Sequence, residues 1–116
     1  MSAVDEWVAE LSEKGDLTPT AVQQVLETHG ARGRRAIEGV GEQRVKQYND
    51  FTVVVGRGDE YIVEGRSCLC PDSRYNLDRD DPDQLCWHVI AVLIAGAIQV
   101  FETYDQWYAE VGGLFE

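Results

Sequence analysis

The apolar residues of the first 40 positions recur with a helical period, and they predict three short helices. The first helix begins after a capping Ser2 and ends at Gly15. The second begins at Thr18, an N-cap followed by proline, and ends at Gly30. A third, shorter helix is expected at about 32–38. The apolar positions expected to face the core are Val4, Trp7, Val8 and Leu11, then Val22, Val25 and Leu26, and finally Ile37 and Val40.

The period then changes to two, which is the period of a half-buried strand. Turn-forming residues separate the alternating runs, so we expect a three-stranded antiparallel meander at about 44–48, 51–56 and 60–65. The alternating apolar residues are Phe51, Val53 and Val55 in one run and Tyr61 and Val63 in the next.

The remainder of the chain combines a polar loop with an apolar helix. Residues 72–83 contain five aspartates, which predicts a solvated loop. Residues 85–101 are apolar nearly all round, as expected for a central core helix. A last short helix is expected at 103–111, where it would carry Tyr104, Trp107 and Tyr108. The expected fold class is α+β in a single domain, with a helical part at 1–43, a ββα part at 44–101 and an aromatic tail at 102–116.

All three cysteines and one of the two histidines lie in a single segment. Cys68 and Cys70 form a C-x-C pair, and Cys86 and His88 form a C-x-H pair after a spacer of 15 residues. Three thiolates and one imidazole are a closed tetrahedral ligand set for zinc, and sulfur selects Zn²⁺ over Mg²⁺ or Ca²⁺. An odd number of cysteines argues against a disulfide framework. Unliganded thiols and another soft metal remain as alternatives.

The order C-x-C, spacer, C-x-H resembles the SWIM-type zinc finger, whereas most zinc fingers use C-x-x-C. CLCPD at 68–72 is similar to the first pair and turn of that family, and CWHVIAVLIA at 86–95 is similar to its second pair opening an apolar helix. The similarity covers about 44–98. It implies binding of DNA or of proteins, with zinc held by Cys68, Cys70, Cys86 and His88.

The charge balance is strongly acidic. Ten basic residues stand against 21 acidic ones, which gives a net charge of −11 and a pI near 4.4. Lysine occurs only twice, against eight arginines. This composition is expected of a protein in a cytoplasm with molar salt, where a carboxylate-rich surface stays hydrated. An ordinary acidic protein that binds another protein is the alternative.

The sequence predicts no contact with a membrane. It begins without a basic segment followed by an apolar one, so we expect no secretory signal. The longest apolar run has 10 residues, at 89–98, whereas a transmembrane helix needs about 20. We therefore expect a soluble, cytoplasmic protein whose thiolates stay reduced and available to metal.

One segment departs from the acidic balance. Within 15 residues it carries five basic side chains against two acidic ones. One interpretation is a patch that contacts phosphates of nucleic acid. The other is a helix face whose arginines pair with neighbouring carboxylates. The residues concerned are Arg32, Arg34, Arg35, Arg44 and Lys46.

Two further side chains have a structural and a functional interpretation. His29 lies at the end of the second helix, where the helix dipole favours a cation, and the functional alternative is metal binding or acid-base work. Trp87 lies between two ligands, where its ring either shields the metal from water or offers a stacking platform for bases.

The expected function is binding rather than catalysis. The sequence shows no set of nucleophile and base, and zinc with four protein ligands has no open position for water. We expect a structural-zinc protein that binds nucleic acid, with DNA first. The alternative is an adaptor between proteins in a DNA-repair or transcription complex. Its docking elements would be the apolar helix and the tail residues Trp107, Tyr108, Leu114 and Phe115.

Overall fold

A computed structural model of the chain describes residues 2–56, 58–78 and 80–108. Within them, helices and strands form the expected α+β fold. None of these helices combines the length and the apolar character that a bilayer crossing requires. The helices are α1 Ala3–Lys14, α2 Pro19–His29, α3 Ala31–Gly41, α4 Pro71–Tyr75 and α5 Trp87–Ile98, and the strands are β1 Val45–Gln47, β2 Thr52–Val55, β3 Glu60–Glu64, β4 Ser67–Cys68 and β5 Glu102–Thr103.

The first two helices begin at the residues that the sequence predicts. The Ser2 hydroxyl accepts a hydrogen bond from the backbone N–H of Asp5 at 3.2 Å, and the Asp5 carboxylate accepts one from the N–H of Ser2 at 3.4 Å. This reciprocal pair satisfies two donors that a helix start leaves free. At α2 the Thr18 hydroxyl accepts from the N–H of Ala21 at 3.2 Å. Gly15 ends α1 in the left-handed region, with φ of 69°.

Helix α3 extends beyond the predicted 32–38, and small residues explain its packing. A Cβ on Gly33 would lie 2.8 Å from the carbonyl oxygen of Val25, and a Cβ on Gly39 would lie 2.9 Å from the Trp87 ring. Glycine at these two positions therefore allows α2 and α5 to approach the backbone of α3 closely.

The five strands form one sheet in the order β4-β3-β2-β1-β5. The predicted meander is confirmed as β1, β2 and β3, which pair antiparallel, and β4 continues it. Strand β5 pairs parallel with β1. The predicted helix at 103–111 is wrong at its start, because Thr103 pairs with Gln47 and the N–H of Tyr104 donates to the Gln47 carbonyl at 2.9 Å. Residues 109–111 lie outside the described residues.

The sheet packs one face against α5, which is the central helix of the core. Val54 of β2 belongs to the core cluster, together with Val45 and Val63 on the neighbouring strands. Strand residues alternate between faces, so Val53 points to the opposite face, where it is also buried. Helix α5 is shorter than the predicted 85–101. Its last residue is Ile98, and Gln99 caps it with a φ of 57°.

The acidic segment at 72–83 is not entirely a loop. Helix α4 begins at Pro71 with Cys70 as its N-cap, and proline at this position is already shaped for a helix start. The expectation of an irregular loop throughout 72–83 is therefore wrong for its first residues. Helix α4 forms one wall of the site described next.

Candidate metal centre

The four predicted ligands come together as one buried group that can hold a metal ion. The donor atoms of Cys68, Cys70, Cys86 and His88 all lie within 4.8 Å of one another. Cys68 Sγ lies 3.8 Å from His88 Nδ1. That distance is close to the roughly 3.6 Å edge of a tetrahedron with Zn–S bonds of about 2.3 Å and Zn–N bonds of about 2.0–2.1 Å. Three sulfur donors and one nitrogen donor also have the softness that zinc prefers.

Three different elements position the ligands. Cys68 lies in the edge strand β4, opposite Val63 of β3. Cys70 caps α4, and Cys86 caps α5 with His88 in its first turn. A metal bound to all four side chains would therefore join the edge of the sheet to the start of the core helix.

Hydrogen bonds connect the cysteine sulfurs with their surroundings. The Cys70 sulfur accepts from the N–H of Ser73 at 3.4 Å. A hydrogen bond with Cys68 lowers the pKa of Cys86 to about 3, and the same contact raises the pKa of Cys68. Cys86 also caps α5, where the partial positive charge of the helix start favours an anion. Metal binding at this group would release protons, because zinc binds cysteine as the thiolate.

Two aromatic rings hold the imidazole of His88 in place. The Tyr61 ring lies 4.9 Å from it and the Trp87 ring 4.3 Å, measured between centroids. His88 is buried. These contacts restrict the rotation of the His88 ring and keep Nδ1 directed at Cys68 Sγ.

Trp87 serves the packing of α3. The guanidinium carbon of Arg35 lies 4.2 Å from the centroid of the Trp87 ring, and Gly39 leaves room for the edge of the same ring. Because Arg35 already covers one ring face, the contacts favour a shielding and packing role over a platform for bases.

The basic segment does not form an open cationic patch. Each of its five side chains has a carboxylate partner at 2.7–3.6 Å, and these contacts favour the interpretation as an ion-paired face. Nucleic-acid binding by this segment stays a prediction that no contact supports. The pairs are Arg32 with Asp72, Arg34 with Glu38, Arg35 and Arg44 with Glu42, and Lys46 with Glu102.

His29 differs from the cation expected at the end of α2. Its Nε2 accepts a hydrogen bond from Trp7 Nε1 at 3.1 Å, which requires a neutral imidazole. Burial lowers the pKa of His29, although the charge of Asp83 opposes the shift. Desolvation therefore outweighs the helix dipole at this position.

Two acidic residues of the segment between the ligand pairs make long-range contacts that the sequence does not predict. Asp72 binds Arg32 of α3, and the start of α4 at Pro71 is the signal that could have placed it on a helix. Asp83 accepts from the backbone N–H groups of Ala3 and Val4 at 3.3 and 3.1 Å, so it caps α1. No local pattern predicts that contact, because the partners are about 80 residues apart.

Comparison with known proteins gives one strong match. The chain is 41% identical over 86 residues to an uncharacterized protein from Archaeoglobus fulgidus, and the match covers 74% of this chain and 73% of the relative. No protein-family model matches the chain, and no solved structure matches it. The SWIM-type resemblance therefore depends on the sequence motifs and has no family match behind it. By its identity and coverage, the chain belongs to the same family as the Archaeoglobus fulgidus protein.

Proposed function

We propose that the four ligands hold a structural zinc of the SWIM type and that the protein is an interaction adaptor, not an enzyme. The observation that carries this proposal is a pair of large apolar side chains exposed beside the metal group. Leu69 is 76% exposed and Tyr75 is 75% exposed. Exposed apolar groups in a rigid setting are typical of contact sites for other proteins.

The metal group would hold this surface in one conformation. Leu69 lies between the ligands Cys68 and Cys70, and Tyr75 ends the helix that Cys70 caps. Zinc bonds on both sides of Leu69 would remove most of the backbone freedom of the loop. A surface ordered before binding loses less entropy on association, which raises affinity without any added contact.

The charge of the chain indicates the kind of protein partner. The net charge is −11, and Asp78, Asp80 and Asp81 lie on the segment that follows Tyr75. An acidic partner would be repelled, whereas a partner with an apolar centre and a neutral or basic rim complements this surface. The DNA-repair or transcription setting implied by the SWIM resemblance stays a prediction.

Nucleic-acid binding is the second candidate, and one contact favours it. The Arg74 guanidinium lies 5.6 Å from the centroid of the Tyr75 ring. In the described part of the chain, Arg74 forms none of the ion pairs that occupy the basic segment. An exposed aromatic ring beside an arginine is a combination that stacks and neutralises single-stranded nucleic acid.

The metal part of the proposal is tested by native mass spectrometry of the purified protein. We expect about one zinc per chain, because one set of four ligands is present. Cys70→Ser should lose the metal, whereas Ser73→Ala, which leaves all four ligands intact, should keep it. Wild-type protein that is folded and free of metal at all zinc concentrations would refute a structural zinc.

The partner part is tested with the double variant Leu69→Ser/Tyr75→Ser as bait in a nuclease-treated lysate at native salt. Leu26→Ser is the control, since it removes an exposed apolar side chain from α2, outside every proposed docking element. We expect a protein that the wild type and the control retain and the double variant loses. Retention by all three baits would contradict the proposed surface.

The same variants separate the two candidates. Fluorescence anisotropy with a short single-stranded DNA measures binding against salt. If nucleic acid is the ligand, Arg74→Gln should reduce the salt slope by about 0.7, the value for one lost phosphate contact on a single strand. Absence of binding at low salt, together with a retained protein partner, supports the adaptor.

A further inference from the structure

The metal group has a cation from a distant part of the chain beside it. Arg32 Nε lies 2.7 Å from Asp72 Oδ2, and Arg32 Nη2 donates to Asp72 Oδ1 at 2.9 Å. The pair is bidentate, the geometry in which arginine binds carboxylate most strongly. Asp72 lies two residues after Cys70, in the first turn of α4. The contact therefore ties α3 to the helix that a metal ligand caps.

A nearby cation would stabilise the metal group when zinc is bound. Three thiolates and Zn²⁺ carry a net charge of about −1, in a buried site where charge is costly. Asp72 adds a second negative charge next to it. The Arg32 guanidinium offsets both, and its pKa is raised by Asp72 first and then by Cys86 and Cys70.

A second arginine of α3 contacts the residue that lies between the other two ligands. Arg35 lies over Trp87, the residue between Cys86 and His88. Arg32 and Arg35 are three residues apart and share one helix face. Arg34 differs from both, because its side chain is 78% exposed and, among the described residues, its ion pair is with Glu38 of the same helix.

We infer that Arg32 is a positioning residue for the metal centre, acting through Asp72 to orient α4 and its N-cap ligand Cys70. The inference rests on the proposed zinc. In the absence of Arg32, the Asp72 carboxylate loses its cationic partner and keeps the Asn76 amide at 3.1 Å, and α4 loses its anchor to α3. The population of conformations in which Cys70 can bind the metal then falls, and zinc affinity falls with it. Together with Arg35, this contact makes metal binding and docking of the N-terminal helices one cooperative event.

The test compares Arg32→Gln with Arg34→Gln, two variants that each remove one positive charge from α3. Zinc affinity is measured by competition with a chromophoric chelator. We expect Arg32→Gln to weaken zinc binding about 10- to 100-fold, the range for groups that orient metal ligands. Arg34→Gln should leave it within about twofold, since its pair is exposed and weak. Arg32→Lys restores charge without the fork, so its affinity should be intermediate.

A general loss of stability would also lower metal affinity, so a second measurement reports the ligand geometry itself. The visible spectrum of the Co²⁺-substituted protein should change in Arg32→Gln and stay unchanged in Arg34→Gln. In addition, Asp72→Asn combined with Arg32→Gln should be no weaker than the worse single variant, because the two residues act as one unit.

The outcomes separate this inference from the proposed function. A wild type that binds zinc, with Arg32→Gln and Arg34→Gln equal in affinity and in cobalt spectrum, overturns the inference and leaves the structural zinc in place. A wild type that binds neither Zn²⁺ nor Co²⁺ overturns both. If Arg32→Gln does not fold, the comparison is made between Arg32→Lys and Arg34→Lys, and equal affinity there overturns the inference.

Discussion

Gly39→Ala should destabilise the protein although alanine is the better helix former. Gly39 lies inside α3, and a Cβ there would stand 2.9 Å from Cζ3 of Trp87. Carbon atoms pack at about 3.5–4.0 Å, so the ring or the helix must move by roughly 0.6 Å or more. Trp87 cannot move freely, because it lies between two ligands and under the Arg35 guanidinium.

Two opposing effects set the magnitude. Replacing glycine by alanine in a helix interior stabilises the helix by about 0.8–1.0 kcal/mol. Overpacking of a well-packed interface costs about 1–3 kcal/mol. The net effect of Gly39→Ala is therefore a loss of up to about 2 kcal/mol. Gly41→Ala is the matched control on the same helix, since a Cβ there meets nothing within 4 Å.

The assay is thermal unfolding of the zinc-loaded protein, followed by circular dichroism. For a chain of this size, about 1 kcal/mol shifts Tm by roughly 4 °C. Gly41→Ala should melt at or above the wild-type temperature, and Gly39→Ala should melt several degrees below it. Equal melting of the two variants would refute the close packing of α3 on Trp87, and with it the path by which Arg35 reaches the metal group.

Three further predictions address metal, pH and salt. Removal of zinc by a chelator should unfold the metal-binding half, because zinc contributes about 10 kcal/mol to the folding of small zinc domains, and a chelated protein with a native spectrum would contradict this. Burial lowers the pKa of His29, so the folded state binds a proton less readily than the unfolded chain, whose His pKa is about 6.5. The contribution of His29 to the free energy of unfolding is therefore complete above about pH 6.5 and is lost as the pH falls below it. His29→Gln should reduce the dependence of Tm on pH between about pH 7 and 5. A profile as steep in His29→Gln as in the wild type would remove His29 as the cause. The net charge of −11 predicts a Tm that rises as salt increases from tens of millimolar to molar, and a falling Tm would contradict the expectation of a high-salt cytoplasm.

The parts of the structure that the sequence predicts are those encoded within a few residues. The hydroxyls of Ser2 and Thr18 cap their helices by accepting from the backbone N–H three residues later. Both partners of this contact lie within one short segment of the sequence. The ligand pairs are similar, because C-x-C and C-x-H each place two donors within reach of one metal. Short-range patterns of this kind survive in any fold that keeps the segment intact.

The parts that the sequence does not predict depend on distant partners. Arg32 reaches Asp72 across 40 positions, and Trp7 reaches His29 across 22. The contact of Arg32 agrees with the interpretation of the basic segment as an ion-paired face, but the sequence does not identify the partner carboxylate. The contact of His29 reverses the expectation of a cation at the end of α2. Strand β5 is another example. Thr103 lies in the segment predicted to be a helix, but in the structure it pairs with strand β1. Local propensity is a weak preference that tertiary contacts override.

The arginines of this chain explain how an acidic protein can keep a basic segment without an anionic ligand. Arginine binds a carboxylate with two parallel hydrogen bonds and stacks on aromatic rings, whereas lysine does neither as well. Arg32 uses the first property and Arg35 the second. Half-buried pairs are screened by salt less than exposed ones, so such contacts persist where surface attraction to phosphate fails. In a chain adapted to high salt, we therefore expect arginines to form contacts within the protein. Partner binding would then depend on apolar groups such as Leu69. The salt dependence of partner binding then becomes the decisive measurement, because burial of Leu69 and Tyr75 strengthens with salt while contacts to phosphate weaken.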